Sequence, residues 1–447
     1  MKTLHVSYSF APDAVGGTEV YVEGLCRSLA QIGVEAVIAA PAANDASYEH
    51  RGLRVRRFAT GAGRLEDLYG PGDPVAARAF ERILDAEGPD VVHQHAVSPA
   101  CSVELMRAAD RRGVPVVFTY HTPTASCSRG TLVRWGSEIC DGRLASAPCT
   151  ACTLHGLGAG RLASAVAGAV PPGVGVWLGR AGLRGGLWTA ARMPALMRLH
   201  HASVAELLAI PARIVSLAPW VTSLLEANGV PPATIVSVRH GTVATPRRGT
   251  ERRPGPCRFV HLGRLDPAKG TELLLAALRA IPGVPCELDV MGITQDERSL
   301  SARRRIEALA RGDSRIRILD PVDSGDVVDR LADYDFVVVP SQWLETGPMV
   351  ALEAFAAGVP VIGSALGGLP YQITDNVDGL LVRPFSSVRR WADVLRLAAL
   401  DRALGAHLRS GVRPPRAMAA VAEDMRAIYA DVRGARPRSH AVEPVMA

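Results

Sequence analysis

Both halves of the chain alternate short runs of β-branched residues with longer segments of helical periodicity. In the first half the predicted strands are LHVSYS, EAVIAA, DVVHQHA, VPVVFTYH, RIVSLAP and TIVSVRHG, and in the second they are RFVHLG, ELDVMG, RIRIL, FVVVPS, VPVIGS and GLLVRP. Helices are predicted between them, among others at 18–32, 102–112, 270–280, 297–311 and 348–357. Strands that are separated by helices lie parallel, so the pattern predicts α/β domains with doubly wound sheets.

A polar stretch rich in proline and arginine, TPRRGTERRPGP at 245–256, is typical of an interdomain linker. We therefore predict two Rossmann-like domains, over 1–245 and 255–415, and a C-terminal helix over 416–434 that packs back on the first domain. The first domain is predicted to contain an insertion over 122–205. The two domains are expected to face a cleft, with ligands at the C-terminal ends of the strands.

The bulk composition narrows the class of protein. The 447 residues, 48% of them apolar, suffice for two or three ordinary domains. The net charge of +6 comes mostly from arginine, since Lys2 and Lys269 are the only lysines, and aromatics make up 5%. Nucleic acid is therefore not an expected partner.

The start MKTLHVSYSF lacks the apolar core of a signal peptide. The uncharged run 162–179 contains prolines and glycines, so it is a poor candidate for a membrane span. We therefore expect a cytoplasmic enzyme.

The motif GRLDPAKG follows the strand RFVHL and opens a helix. Arg264 and Lys269 lie on this turn, where backbone amides and the helix dipole favour an anion. In a chain that otherwise prefers arginine, an interior lysine here indicates a position that needs a compact ammonium. The alternative is a pair of solvated cations on a loop.

The segment ETGPMVALEAFAAG is almost wholly apolar apart from Glu345 and Glu353. An ionised carboxylate in such a helix is costly unless something hydrogen-bonds it. Amides near Gly347 and Met349 could hold phosphate oxygens at the helix N-terminus. Glu353 lies about 7.5 Å further along the axis, a separation that suits a diphosphate and the hydroxyl pair of a ribose. The alternative is a Glu353 paired with a nearby arginine.

Taken together, these segments resemble glycosyltransferase family 4, whose members are retaining enzymes of the GT-B fold. The similarity extends over nearly the whole length. Matching blocks occur in the family's order: FAPDAVGGTEVYVEGLCRSLAQIGVEAVIAAP, VVFTYHTP, SVRHGT, GRLDPAKG and ETGPMVALEAFAAGVPVIGSALGGLP. The resemblance implies transfer of a sugar from a nucleotide-diphosphate sugar to an acceptor, which could be a glycan, a lipid-linked molecule or a small molecule.

The resemblance also implies how the donor diphosphate is held. Gly16 and Gly17 would form a loop that approaches the diphosphate from the first domain. Arg264 and Lys269 would neutralise it as it becomes the leaving group. Because these cations stabilise the departing phosphate directly, no metal or other cofactor is expected in catalysis.

Three further residues receive roles from the resemblance. Glu345 would hydrogen-bond the hydroxyls of the donor sugar, Glu353 would hold the ribose, and His121 would face the sugar near the reacting carbon. The alternative for His121 is a strand-end histidine bonded to backbone. The chain departs from the family after GGLP, where Tyr371 and Gln372 replace a frequent glutamate, and this leaves donor-sugar selectivity open.

Two other functions stay open on the sequence alone. One is a nucleotide-sugar epimerase or a phosphorylase of the same fold, either of which would not require the acceptor. The other is a catalytically silent binding protein that retains the fold. The complete set of two cations and two glutamates favours the transferase.

Four cysteines cluster in the segment CSRGTLVRWGSEICDGRLASAPCTAC: Cys127, Cys140, Cys149 and Cys152. Cysteines in a cytoplasmic protein favour thiols or metal ligation over disulfides. The last two form C-x2-C, and the four together could bind a structural zinc ion. Scattered thiols are the alternative.

Residues 142–205 contain six arginines and no acidic residue. A basic segment with Trp177, Trp188 and Leu187 on one side could rest against an anionic membrane as a peripheral contact. The same predicted apolar face includes Leu178, Met193 and Leu196. Alternatively the segment folds onto the first domain and shapes an acceptor pocket, or forms a flexible surface excursion.

Overall fold

The chain folds into two parallel sheets, one in each half, each covered by helices. This computed structural model describes residues 1–13, 16–63, 65–183, 185–247, 254–294, 297–323 and 325–434. Residues 248–253 of the predicted linker, and Arg184 of the arginine-rich segment, lie outside the described residues.

The first sheet has eight strands in the order β10-β9-β6-β5-β1-β2-β4-β3, and only β3 runs antiparallel to its neighbour. Its strands are β1 (Lys2–Val6), β2 (Glu35–Ala42), β3 (Ala46–His50), β4 (Leu53–Ala59), β5 (Val91–Gln94), β6 (Val116–Tyr120), β9 (Arg213–Ser216) and β10 (Ile235–Ser237). A separate antiparallel pair is formed by β7 (Val133–Arg134) and β8 (Glu138–Ile139).

The helices of the first half are α1 (Gly17–Gln31), α2 (Leu65–Tyr69), α3 (Pro74–Glu87), α4 (Val103–Asp110), α5 (Ser146–Gly156), α6 (Arg161–Gly168), α7 (Pro172–Arg180), α8 (Gly186–Ala209) and α9 (Pro219–Ala227). Short 3-10 turns lie at Pro123–Ala125 and Pro232–Thr234, and a third at Pro267–Lys269 belongs to the second half.

The second sheet has six parallel strands in the order β13-β12-β11-β14-β15-β16. They are β11 (Cys257–Arg264), β12 (Cys286–Ile293), β13 (Ile316–Leu319), β14 (Phe336–Val339), β15 (Val361–Ser364) and β16 (Gly379–Val382). The helices are α10 (Thr271–Arg279), α11 (Glu297–Ala310), α12 (Val327–Leu331), α13 (Met349–Ala356), α14 (Leu369–Gln372), α15 (Val388–Leu400), α16 (Arg402–Gly411) and α17 (Met418–Gly434).

The predicted fold class is confirmed. Each of the twelve predicted strands corresponds to an observed one, because a strand buried on both faces is a continuous run of β-branched residues. The β3–β4 hairpin was not predicted. β3 has the sequence ASYEH and lies largely exposed at the sheet edge, so it has no apolar run to mark it.

The last helix, α17, returns the chain to the first half and packs against α1. Its side chains Met418, Val421, Met425 and Tyr429 are buried in the core between α1 and the first sheet. The Tyr429 hydroxyl lies 2.6 Å from Nδ1 of the buried His93 on β5. One end of the chain is thereby fixed to the domain at the other end.

The segment between β6 and β9 is folded rather than extended over the surface. α5, α6, α7 and α8 pack on one another around a small core of Leu154, Met193, Leu196 and Met197. Arg192 is buried there and pairs with Glu66 of α2 at 2.7 Å. The prediction of an exposed apolar face was therefore wrong for three of its members, Leu178, Met193 and Leu196, which are buried.

We predict that Tyr429→Phe lowers the free energy of unfolding by roughly 1–3 kcal/mol, because a buried imidazole nitrogen loses its partner. Thermal and urea unfolding would measure the change. Tyr371→Phe is a matched control, since Tyr371 is 61% exposed. Equal stability of Tyr429→Phe and the parent protein would contradict the prediction.

Candidate functional site

An ion pair joins the ends of two neighbouring strands in the second domain. The Lys269 ammonium lies 3.0 Å from both carboxylate oxygens of Glu345. Lys269 follows β11 and Glu345 follows β14, which pair in parallel, so their C-terminal ends meet at one edge of the sheet. The two residues that the sequence analysis placed on a donor site are therefore in direct contact.

Gly270, the residue after Lys269, allows this turn to lie close against the end of β14. It adopts a left-handed conformation with φ of 75°, and a Cβ there would lie 2.0 Å from the carbonyl oxygen of Pro340. Only glycine fits so close to the end of β14. Asp266 stabilises the same turn by accepting a hydrogen bond from the Ala268 amide at 2.8 Å. The motif thus holds Lys269 in position through its backbone.

Glu345 is buried, and its carboxylate accepts several hydrogen bonds. The Trp343 indole donates to its carboxylate at 2.8 Å, and the Ser341 hydroxyl donates to the same oxygen. Burial by itself would raise the pKa of Glu345, but the Lys269 ammonium and these hydrogen bonds outweigh it and lower the pKa. The carboxylate is therefore ionised at neutral pH.

Glu353, in the middle of α13, has the opposite surroundings. Its carboxylate makes no hydrogen bond or ion pair with any of the described residues, so none of the described arginines is its partner. Burial in an apolar helix raises the pKa of Glu353 to about 7. A carboxylate without a partner among apolar neighbours is a ready acceptor for ligand hydroxyls.

The glycine loop of the first domain faces the start of α13. A Cβ on Gly17 would lie 3.6 Å from Cγ of Met349. The Gly16 amide donates to Glu19 at 2.8 Å, which anchors the loop to the first turn of α1. Burial raises the pKa of Glu19, and the nearby Arg264 guanidinium opposes this effect. The loop, Arg264 and the α13 N-terminus therefore lie around one space between the domains.

Two polar side chains, His240 and Gln372, lie close to Gly347. The sequence analysis did not place them in the site. A Cβ on Gly347 would lie 2.7 Å from Cδ2 of His240 and 2.8 Å from Nε2 of Gln372. Both ring nitrogens of His240, and the amide nitrogen and oxygen of Gln372, are buried without a partner among the described residues. Burial lowers the pKa of His240 to about 4, so its ring is neutral. For Gln372 the signal in the sequence was the departure after GGLP, where Tyr371 and Gln372 replace the family's frequent glutamate.

His121 lies at the end of β6 and joins the two domains. Its backbone oxygen accepts a hydrogen bond from the Thr346 hydroxyl at 2.9 Å. Its ring packs edge-on against Tyr21 of α1, with centroids 4.9 Å apart, and Nε2 lies 3.0 Å from Nδ1 of His95. The ring is thus bonded to another histidine and not to backbone.

A chain of buried hydrogen bonds fixes the tautomer of His121. The Thr3 hydroxyl donates to the Glu35 carbonyl, so it accepts from Nε2–H of His5. Burial lowers the pKa of His5 to about 3 and holds the pKa values of His95 and His121 well below normal, so all three rings are neutral. His5 Nδ1 then accepts from His95, and His95 Nδ1 accepts from His121 Nε2–H. Nδ1 of His121 is left with a lone pair.

Three buried imidazoles of the first sheet, those of His5, His93 and His95, lie close enough together to suggest a metal site. Within the described residues, His5, His93 and His95 are the group whose ligand atoms all lie within 4.8 Å of one another. Both nitrogens of His93 already have partners, the Tyr429 hydroxyl at 2.6 Å and the Thr119 hydroxyl at 2.7 Å. The cluster is a hydrogen-bonded network and leaves no nitrogen of His93 for a metal.

The clustered cysteines gather in one place. Cys127, Cys140, Cys149 and Cys152 all line a cavity of about 180 Å³ beneath α8, together with His200 and His201. Their sulfurs do not meet within 4.8 Å as a set in the described part of the chain. The other four cysteines, Cys26, Cys101, Cys257 and Cys286, are buried.

Curated relatives share part of this chain. A D-inositol 3-phosphate glycosyltransferase of Saccharomonospora viridis is 37% identical over 159 residues, which are 34% of this chain and 36% of the relative. The enzyme of the same name from Segniliparus rotundus is 34% identical over 196 residues, 41% of each chain. The chain thus spans less than half the length of the curated relatives it matches.

Solved structures match over nearly the full length. A sucrose-phosphate synthase of Thermosynechococcus elongatus superposes with a TM-score of 0.67 at 20% identity, covering 97% of this chain and 99% of its own. Anabaena Alr3699/HepE, in complex with UDP and glucose, gives 0.62 at 14% identity, covering 96% and 99%. At this identity the likeness shows the fold, which is GT-B.

Family models match both domains. The model described as Glycosyltransferase Family 4 matches residues 15–245, and the model described as Glycosyl transferases group 1 matches residues 245–413. The first match alone covers more than half of the chain, and the two meet at the junction of the two sheets. The chain therefore belongs to glycosyltransferase family 4.

Proposed function

We propose that the protein transfers a sugar from a nucleotide-diphosphate sugar to an acceptor held mainly by the first domain. The observation that carries this proposal is the Lys269–Glu345 pair at the strand ends, opposite the glycine loop at Gly17. Similar solved structures contain UDP, UDP-glucose or ADP, which supports such a donor. The acceptor could be a glycan, a lipid-linked molecule or a small molecule.

The cations of the site suit the donor diphosphate. Lys269 uses two bonds on Glu345, and an ammonium has three donors, so one is left for a phosphate oxygen. Arg264 is exposed, and its guanidinium makes no hydrogen bond or ion pair with any described residue, which leaves it for the same group. Amides at the start of α13, near Gly347 and Met349, add donors with the favourable end of the helix dipole.

The remaining polar groups suit the two sugars. Glu353 would accept hydrogen bonds from the ribose hydroxyl pair, one helix turn and a half beyond the phosphates. Glu345 and His121 Nδ1 are acceptors for hydroxyls of the transferred sugar. His240 and Gln372 hold unpaired polar atoms beside Gly347, so they are further candidates for contact with this sugar.

We further propose retention of the anomeric configuration. In this reaction the bond from C1 to the phosphate oxygen breaks, and a bond from C1 to the acceptor oxygen forms on the same face of the sugar. The acceptor proton passes to the departing phosphate oxygen, whose charge Arg264 and Lys269 stabilise. NMR of the product anomer tests this part separately, and an inverted product would contradict it.

An epimerase, a phosphorylase and a silent binding protein make different predictions. An epimerase would release free nucleotide diphosphate or interconvert the sugar without an acceptor, a phosphorylase would need inorganic phosphate, and a silent protein would bind donor without turnover. Nucleotide release that depends on an added acceptor supports the transferase. Nucleotide release that does not depend on any acceptor, and that is faster than spontaneous hydrolysis of the donor, would favour the epimerase.

We predict that Arg264→Ala lowers turnover by roughly 10²-fold or more, because a preorganised charge on the leaving group is lost. Its thermal midpoint should not change, since Arg264 is exposed. Lys269→Ala should lose as much activity and also lose stability, because Glu345 is then a buried carboxylate without its cation. Arg396→Ala on the exposed face of α15 is the control. Normal turnover in folded Arg264→Ala would remove this role.

We predict a pH signature for Glu353 in nucleotide binding. The pKa of Glu353 is about 7 in the free protein, whereas only the ionised carboxylate accepts from both ribose hydroxyls. The affinity for UDP or ADP should therefore rise about tenfold from pH 6 to pH 8 relative to Glu353→Gln. Because both proteins bind the same nucleotide at each pH, the effect of titrating the nucleotide phosphate cancels when their affinities are compared. A 2′-deoxynucleotide should lose most of the difference, and parallel profiles of the two proteins would contradict the assignment.

The same pKa affects stability. Since the folded pKa lies above the unfolded value of about 4.3, the stabilising effect of protonated Glu353 is complete below pH 4.3 and is lost as the pH rises through 7. Glu353→Gln does not titrate. Its thermal midpoint should therefore exceed that of the parent protein most clearly above pH 7.

We also propose that Cys127, Cys140, Cys149 and Cys152 hold a structural zinc ion. Thiolates are preferred zinc ligands, and these four cysteines line one cavity. The ion has no part in the proposed chemistry.

We predict about one zinc per chain in gently purified protein, lost in the Cys149→Ser/Cys152→Ser double variant together with thermal stability. Cys26→Ala is the control, since Cys26 lies in a different core. Elemental analysis measures the metal. Substoichiometric metal in the parent protein would count against the site.

A further inference from the structure

Large apolar side chains are concentrated on the outer surface of α6, α7 and the ends of the neighbouring helices. We call this the apolar surface, and its main members are Leu157, Leu162, Val166, Trp177, Leu187 and Trp188. Leu162 and Leu187 are 86% and 87% exposed, and Trp177 is 65% exposed. Of the described residues, no other short stretch exposes so many large apolar groups, and an exposed patch of this kind marks an interaction site.

The packing of these two helices differs from that of an ordinary surface helix. Their buried residues are small apart from Leu178. A Cβ on Gly168 would lie 2.8 Å from the carbonyl oxygen of Ala147, and one on Gly175 2.9 Å from Cβ of Ala195. Their outer faces carry Leu162 and Trp177. Small residues on the inner face allow close helix packing, but large apolar side chains that stay exposed to water contribute no free energy of burial. This arrangement indicates that the outer face contacts something apolar.

The charges around the apolar surface are of one sign. Arg143, Arg161, Arg180 and Arg198 are exposed, and none forms an ion pair with a carboxylate among the described residues. Arg161 lies over the ring of Trp135, 5.2 Å from its centroid. Arg192 does not contribute, since it is buried against Glu66. Residues 142–205 contain no acidic side chain, so the field of these arginines is not neutralised within the segment.

The two helices cross at a steep angle. α6 and α7 are joined by a short break and meet at 87°, and among the described residues no single helix is long and apolar enough to cross a bilayer. Helices at this angle do not run side by side, so they do not form the two parallel walls of a groove for a helix from a partner.

We propose that α6, α7 and the start of α8 form a membrane-docking surface that lies in the interface of an anionic bilayer. Apolar side chains flanked by arginines, with tryptophans beside them, are typical of segments that lie at the boundary of headgroups and acyl chains. Unopposed arginines match anionic headgroups. This inference does not depend on the proposed transfer reaction.

Docking would place the cleft near the bilayer. The segment leaves the first sheet directly after His121, and its Thr131 carbonyl accepts a hydrogen bond from the Leu344 amide at 3.0 Å, next to Glu345. The base of the segment is thus fixed to the candidate site. An acceptor carried by a lipid could reach the first domain without leaving the membrane.

The test is co-sedimentation with vesicles of phosphatidylcholine alone and of phosphatidylcholine with phosphatidylglycerol. We expect binding to the anionic vesicles at low salt, weakened by added salt, and little binding to the neutral ones. Arg180→Glu should weaken the partition by more than the roughly fivefold expected for loss of one cation. Leu162→Glu/Trp177→Glu should abolish it.

Leu397→Glu/Leu400→Glu on α15 is the matched control, because those leucines are also exposed but lie in the second domain. Circular dichroism and thermal midpoints establish that all variants are folded. Three results would overturn the proposal: no binding to anionic vesicles at low salt, equal binding to both vesicle types, or a Leu162→Glu/Trp177→Glu variant that binds normally. Light scattering that shows loss of a dimer in this variant without lipid would assign the surface to a second copy of the chain.

Discussion

Glu345 lies where the two domains meet, and its surroundings bring the main parts of the site together. Its carboxylate is held by the ammonium of Lys269, while its backbone oxygen accepts from the Trp220 indole of the first domain at 3.1 Å. The adjacent Thr346 hydroxyl donates to the His121 carbonyl. One segment after β14 thereby fixes a charged pair, a domain contact and the start of α13. A substitution that frees this segment would disturb all three at once.

Some polar groups of the site have hydrogen-bond partners inside the protein and others have none among the described residues, and the two kinds would meet a ligand differently. The Glu345 carboxylate has its hydrogen-bond partners inside the protein, so it is rigid and ionised before any ligand arrives. Glu353, His240 and Gln372 lack partners among the described residues. Burial raises the pKa of Glu353 and lowers the pKa of His240, and both shifts favour the neutral form of the side chain. Buried polar groups without partners are costly to keep. Two of them, His240 and Gln372, lie against Gly347, and this pair is the strongest physical indication of where a polar ligand binds.

The helical segment between β6 and β9 follows a different packing rule from the rest of the protein. Elsewhere most large apolar residues lie inside, as in the cores on both faces of each sheet. In α6 and α7 Gly168, Gly175 and Leu178 lie inside, whereas Leu162 and Trp177 lie outside. The same segment holds the four cysteines and the unopposed arginines. Its two proposed roles, a zinc site that stabilises it and a surface that contacts lipid, are separable by experiment.

The sequence by itself determined the two parallel sheets, because a strand buried on both faces needs an unbroken β-branched run. It also determined the order of the motifs around Lys269, Glu345 and Glu353, because glycine and proline at fixed spacing set the turns before each helix. The tertiary structure alone decided the partners. Contacts between His240, Gln372 and Gly347, and the histidine chain that sets the tautomer of His121, join residues distant in sequence and follow no local periodicity. For the same reason only the fold showed that Leu178, Met193 and Leu196 face inward, since helical period gives a stripe but not the side on which its neighbours pack.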